Sequence, residues 1–345
     1  MTAYGWHWGE WSVAWTLVAP GLLVGLAACA WAGAPRVQGG GVRFGITADC
    51  HLLGRATPAN EARLKAYVKA MAAWKPDFVV DLGDFACQAG AGPKDYSSTP
   101  ALHDAQLAGL AHHWGVLASL PCPAYIAMGN HCVGWIKGGD EKTTAQDLCA
   151  RGHAGEDITK DEFLAVTRMP HRYYSFDVKG VHVIVLDGNN AADSTAPPRG
   201  HDGVRGGYFI DGTQKAWLAR DLAASREKLK VVFCHEELHH TPPEGSGEGG
   251  DVPFPPVGKE GSYVDNGWQI REMLARDGRV AACFSGHKHR NRWVVYGGVS
   301  YITLAALHWG GSYAKVTISD KLSIEGVGRQ RCHAIPLPKA FRTHK

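Results

Sequence analysis

The chain has 345 residues, 45% hydrophobic and 20% charged, an ordinary globular composition with room for a large core. A formal charge of +3, with no basic run, argues against a nucleic-acid footprint. Eighteen histidines and nine cysteines stand out, but no C-x-x-C pair or zinc-finger spacing occurs, so the cysteines do not read as a structural zinc site.

From Ser12 to Pro35 no residue is charged, and "VAWTLVAPGLLVGLAACAWAGA" is long enough to cross a bilayer. Within it "LAAC" (Leu26 to Cys29) resembles the lipobox of bacterial lipoproteins, whose cysteine is lipidated after cleavage. A signal peptide also wants a positive n-region, and only the amino terminus and His7 precede this run. Glu10 before it and Arg36 and Arg43 after it would, in an uncleaved helix, put the rest of the chain in the cytoplasm. A miscalled start codon would do the same. The expectation is export or membrane anchoring, with a lipid anchor at Cys29. Residues 1–41 then form the anchor-like segment and glycine-rich linker, and residues 42–345 the working domain.

After "GAPRVQGGG" strands and helices alternate. "VRFGITA" (Val42 to Ala48) reads as a buried strand. Thr57-Pro58 opens a helix with Leu64, Val68 and Met71 at helical spacing up to Trp74. "DFVVDLGD" is a second strand, "ALHDAQLAGLAHHWGVLASL" a second helix and "AYIAMGNH" a third strand. Such an opening predicts parallel strands with functional loops at their carboxyl ends.

Past Arg151, "YYSFDVKGVHVIVLDG" predicts a hairpin turning at Lys179-Gly180. A helix around "TQKAWLARDLAAS" leads to the strand "KVVFCH", and "NGWQIREMLARDG" leads to "RVAACFSGHKH". "RWVVYGGVSYITLAAL" and "SYAKVTISDKLSIEGVG" predict antiparallel strands. The loops Gly188 to Gly207 and Glu236 to Gly261 are too long for simple connections, which suggests function or disorder.

The strand ends carry the chemistry. The first strand ends in Asp49 and His51, the second in Asp81 and Asp84, and the third in Asn130 and His131. The later strands end in His235 and in "GHKH", with His287 and His289. Singly, each is a weak signal: Gly-Asp at a strand end is commonly a turn or cap, and a buried histidine commonly a core residue. Five such endings in a parallel-type sheet would converge on one point.

D-x-H, G-D, G-N-H, H and G-H-x-H, in this order from about Val42 to Gly328, resemble the calcineurin-like metallophosphoesterase superfamily. The resemblance implies an α/β fold of two packed mixed sheets flanked by helices, the αββα sandwich. It implies that Asp49, His51, Asp84 and His289 hold a first metal, and that Asp84 bridges to a second held also by Asn130, His235 and His287. Imidazoles and carboxylates suit two divalent ions such as Mn, Fe or Zn. Ions ~3.5–4 Å apart share and acidify a water, and attack of the resulting hydroxide on phosphorus is the implied reaction. By the same analogy His131 is not a ligand but a general acid for the leaving oxygen. The alternative is a hydrogen-bonding histidine behind the ligands.

Two departures matter. Cys132 stands where many relatives follow G-N-H with an acidic residue. Cys87 occupies the position of the tyrosine ligand of purple acid phosphatases, so a tyrosinate–iron site is not expected. Cys50, Cys87, Cys132 and Cys234 crowd the motifs, most simply as small residues packing tight loops. Without Cys29 eight cysteines remain, an even number compatible with disulfides in an oxidising compartment.

The expected function is therefore metal-dependent hydrolysis of a phosphoester or phosphoanhydride bond in a small phosphate-containing substrate. The segments "DGTQKAWLARDL" to "KVVFCHEELH" and "ITLAALHWGGSYAKVTISDKLSIEGVGRQ" look like the manganese-dependent ADP-ribose and CDP-alcohol diphosphatase branch. The cyclic-nucleotide phosphodiesterase branch is close behind. That favours phosphodiester or nucleoside-diphosphate-type substrates over phosphomonoesters. Arg199, His201 and Arg205 in one loop, with His239 and His240 in the other, are candidate substrate contacts, though such loop residues are more often solvated. A non-catalytic metal-binding scaffold would typically have lost ligands that this chain keeps. An amidohydrolase would need H-x-H on the first strand rather than "DCH".

Overall fold

The computed structural model describes residues 41–52, 57–85, 100–133, 158–189, 208–238, 263–264 and 266–342. The N-terminal apolar segment with Cys29, the residue Cys87, and the loop residues Arg199, His201, Arg205, His239 and His240 lie outside that set. No helix among the described residues is long and apolar enough to cross a membrane.

The first sheet holds β1 (Val42–Thr47), β2 (Phe78–Asp81) and β3 (Ala124–Ile126), all parallel, and three antiparallel strands. These are β10 (Tyr313–Ile318), β11 (Lys321–Val327) and β12 (His333–Pro336), in the order β12-β11-β10-β1-β2-β3. The second sheet has the order β4-β5-β6-β7-β9-β8. It comprises the hairpin β4 (Tyr174–Val178) and β5 (Val181–Leu186), then β6 (Leu229–Cys234) and β7 (Val280–Ser285), with β8 (Arg292–Tyr296) and β9 (Val299–Thr303) beyond. The hairpin turns where predicted, at Lys179 (φ 47°) and Gly180 (φ 84°).

Strand residues alternate between two cores. Val231 and Phe233 of β6 and Phe284 of β7 face Phe44 and Phe78 of the first sheet. Phe44 stacks on Phe78 at 5.0 Å between centroids and meets Phe233 edge-on at 5.9 Å. The other face of β6, Val232 and Cys234, packs with Leu218 and Leu222 of the helix Gly212–Ala224 and with Ile270 and Leu274 of the helix Gly267–Asp277. Helices Thr57–Trp74 and Pro100–Ala118 cover the first sheet through Leu64, Met71 and Leu117. The layers are thus helices, sheet, sheet, helices, the expected αββα sandwich. Covered on both sides, β5, β6 and β7 are buried at every position, while β10, one-sided, alternates. Deleting a fully buried ring such as Phe44 would cost ~3–5 kcal/mol.

One expectation changes. The strands that carry the candidate ligands do not lie in one sheet: β1, β2 and β3 belong to the first, β6 and β7 to the second. A helix unmarked by strong periodicity also appears at Lys160–Thr167, set by a capping box between Thr159 and Glu162.

Candidate metal centre

The loops that leave β1, β2, β6 and β7 meet across the two sheets. Asp49 N–H donates to Gly83 O at 2.9 Å and His51 N–H to Asp84 O at 3.0 Å, so the first two loops stay paired beyond their strands. Gly286 N–H donates to His235 O at 2.9 Å on the other sheet. Other bonds cross between the sheets: His235 Nδ1–H donates to Leu82 O at 2.8 Å, and His287 N–H reaches both Asp49 carboxylate oxygens at 3.1 Å.

The backbone here is strained in a consistent way. Among the described residues, five of the eight non-glycine residues with positive φ are Asp49, His51, Asp84, His287 and His289, at 48–66°. The left-handed conformation costs roughly 1–2 kcal/mol per residue, somewhat less for Asp and His. Strain concentrated in one cluster marks a geometry held for chemistry. Two glycines make room for it. A Cβ on Gly129 would stand 2.3 Å from Asp84 Oδ1 and 2.8 Å from the His235 ring, and one on Gly286 2.8 Å from Asp49 Oδ2.

All seven candidate ligands come together. His289 Nε2 lies 3.2 Å from Asp49 Oδ1 and 3.2 Å from His51 Nε2. His287 Nδ1 lies 2.8 Å from Asn130 Oδ1, and His235 Nε2 3.0 Å from Asp84 Oδ2. Donor atoms within 4.8 Å of one another form the groups Asp49–His51–Asp84 and Asp84–His235–His287, with Asp84 common to both. His131 sits beside them: its N–H donates to Asp84 Oδ1 at 2.7 Å and its ring lies 5.4 Å from that of His51. Asp81 stands apart, buried against His113 Nε2 at 2.5 Å and Gly83 N–H at 2.9 Å.

These residues fit divalent cations on chemical grounds. Asp84 Oδ2 and His235 Nε2 are close but out of hydrogen-bond alignment, and each is buried without a hydrogen-bond partner. Such orphaned atoms are costly unless something else satisfies them. Burial alone would lower the pKa of His235, but the Asp84 carboxylate, with Asp49 behind it, pushes it up to about 10. The field at the centre of the cluster favours positive charge. Burial pushes His51 down to about 3 and His287 well below its ordinary value, so both are neutral imidazoles with a lone pair to give.

Residues that motif reading passed over hold the loops in place. Asn60 Nδ2–H donates to His51 O at 2.7 Å, and Arg63 Nη1–H to His308 O at 2.6 Å. Asn189 Nδ2–H donates to Gly129 O at 3.2 Å. Cys132, in place of an acidic residue, accepts from Asp84 N–H through Sγ at 3.0 Å, and burial keeps its thiol protonated. Cys50, Cys122, Cys132, Cys234, Cys283 and Cys332 are all free thiols, so the even cysteine count does not reflect disulfides among them. Cys50, in the loop after β1, and Cys234, at the end of β6, are buried packing residues. His308 also enters the cluster, its ring 4.8 Å from that of His51 and 4.7 Å from that of His289.

Known proteins resemble the chain in family and in fold. The family model for calcineurin-like phosphoesterases matches residues 42–291. No curated protein matches the chain. Among solved structures, a dimetal phosphatase from Danio rerio is similar at 15% identity and a TM-score of 0.59, over 86% of this chain and 99% of that one. The Plasmodium protein GAP50, described as the anchor in the inner membrane complex, is similar at 14% identity and a TM-score of 0.47, over 86% and 89%. A phosphopantetheinyl hydrolase from Mycobacterium tuberculosis is similar at 14% identity and a TM-score of 0.40, over 78% and 92%. The Danio rerio likeness speaks to the fold; the family match covers most of the sandwich and every metal motif. The chain belongs to the calcineurin-like phosphoesterase family and is a metal-dependent phosphoester hydrolase, with the dinuclear divalent metal centre that this family implies.

Proposed function

We propose that the chain hydrolyses phosphodiester or nucleoside-diphosphate-type substrates, with a base or similar planar group seated just outside the metal centre. The observation that carries this reading is Trp309. It is 46% exposed, and its ring lies 5.6 Å from that of His289 and 5.5 Å from that of His308. An indole beside a phosphate-cleaving site offers a stacking face, and stacking of one base on an aromatic ring is worth ~1–3 kcal/mol.

In this reading Asp49, His51, Asp84 and His289 hold the first cation, and Asp84, Asn130, His235 and His287 the second. When bound, the cations supply Lewis acidity and acidify water, and of the seven ligands only Asp49 and Asp84 offset their charge. Asn130 contributes a neutral amide oxygen, which preserves the positive field that draws in phosphate oxygens. His131 gives a proton to the departing oxygen. Its backbone is fastened to Asp84, the residue shared by both sites, so the acid is placed relative to the cations rather than to a loop.

The test is a substrate panel: a monoester, an alkyl diester, a cyclic nucleotide and a dinucleotide-type diphosphate, each with wild type and Trp309→Ala. The substrates bearing a base should have the highest kcat/KM, and Trp309→Ala should raise their KM by about 5- to 150-fold while sparing the alkyl diester. Preference for the monoester, or equal losses with and without a base, would overturn the proposal.

A further inference from the structure

We infer that His308 is a ligand of the first metal, giving that ion three imidazoles instead of two. The inference rests on the two-metal reading above and adds a ligand that the family motifs do not contain.

The chain is built to bring His308 there. Beyond β9 it stays paired with both sheets in turn: Leu304 N–H donates to Ser285 O at 2.8 Å, then Leu307 N–H to Ala48 O at 2.8 Å. This segment closes the seam between the ends of β7 and β1, the two strands that lead into G-H-x-H and D-x-H. His308 is its last residue, and three contacts fix it. Its N–H reaches Asp49 O at 3.3 Å, Arg63 holds its carbonyl at 2.6 Å, and its Nδ1–H donates to Asp49 O at 2.9 Å.

That last bond sets the tautomer. With Nδ1 carrying the proton, Nε2 is left with its lone pair, as in metal-bound histidines whose other nitrogen donates to a carbonyl. Donor nitrogens of His51, His289 and His308 all lie within 4.8 Å of one another. Nitrogens ~2.1 Å from one ion can be up to ~4.2 Å apart, so small side-chain shifts bring all three onto a shared centre. The three rings meet edge to face, at 67–83°. At these angles no two of the three rings stack. The first metal would then have Asp49, Asp84, His51, His289 and His308. A donor set this rich in imidazole favours borderline ions such as zinc, iron or cobalt over manganese.

The experiment compares wild type, His308→Asn and His308→Phe by metal titration and by the visible spectrum of the cobalt-substituted protein. Asparagine can still donate to Asp49 O from its amide but has no second ring nitrogen to offer a cation. The proposal expects both variants to keep one equivalent of zinc, to bind the second at least ~10-fold more weakly, and to change the cobalt spectrum. Melting of the metal-free proteins controls for folding: His308→Asn should melt with wild type. Two equivalents bound with unchanged affinity and an unchanged spectrum in His308→Asn would overturn the proposal and leave the two-metal reading standing. A wild type that binds no zinc, manganese or cobalt would overturn both.

Discussion

Asp84 Oδ2 lies 3.0 Å from His235 Nε2, a carboxylate from the first sheet against an imidazole from the second. The pair is possible only because position 129 has no side chain, since a Cβ there would fall 2.3 Å from Asp84 Oδ1 and 2.8 Å from the His235 ring. Gly129→Ala must therefore push the two apart. Overpacking of this kind costs ~1–3 kcal/mol, so the protein should still fold. Its metal affinity should fall well beyond what that destabilisation accounts for. Metal titration beside a melting curve checks this; wild-type affinity in Gly129→Ala would mean that the pair tolerates displacement.

His131→Ala separates acid catalysis from metal binding. General acid assistance is typically worth ~10²–10⁴-fold for a poor leaving group and much less for nitrophenolate, which carries its charge unaided. The variant should lose about that factor on an alkyl or ribosyl ester, far less on a nitrophenyl ester, and keep its metals. Equal loss on both esters would reassign His131 to stabilising the phosphoryl group. Loss of metal would make it a ligand.

Away from the site, His182 gives a pH test of the fold. Its Nδ1 is 2.8 Å from Asp177 and its Nε2 2.8 Å from Asp221, with Lys228 2.6 Å from Asp177. Burial would lower its pKa, but the bonds to Asp221 and Asp177 outweigh burial and raise it. A histidine raised in the folded state stabilises fully below its unfolded value near 6.5, and that stability is lost as pH rises through the folded value. His182→Gln should therefore destabilise more at pH ~5.5 than at pH ~9. Melting of wild type and variant in chelator at both pH values checks the sign, and a gap that widens with pH contradicts it.

The candidate ligand positions could be picked out in the sequence because metal chemistry restricts residue type: only a few side chains ligate, and D-x-H and G-H-x-H leave little else to read. The layered fold was legible through the family resemblance that these motifs carry. Convergence across two sheets was not legible, because strand order depends on packing between Phe44 and Phe233 rather than on any local signal. His308 was missed for a related reason. It belongs to no spaced motif and reaches the site only because residues 304–308 bond to both Ser285 and Ala48. Arg63 and Asn60 look like ordinary surface positions of a helix until their loop partners are known.

The central claim is that one carboxylate, Asp84, holds two cations at a hydrolytic centre. Wild type and Asp84→Asn, stripped of metal and reconstituted with manganese, zinc or iron, should be compared for bound metal and for cleavage of an activated phosphodiester. His51→Ala serves as the single-site control. The account predicts two equivalents and metal-dependent turnover in wild type, loss of the first metal in His51→Ala, and weakened binding of both with lost turnover in Asp84→Asn. A neutral amide cannot bridge two cations as a carboxylate does. Two full equivalents and wild-type turnover in Asp84→Asn would contradict it.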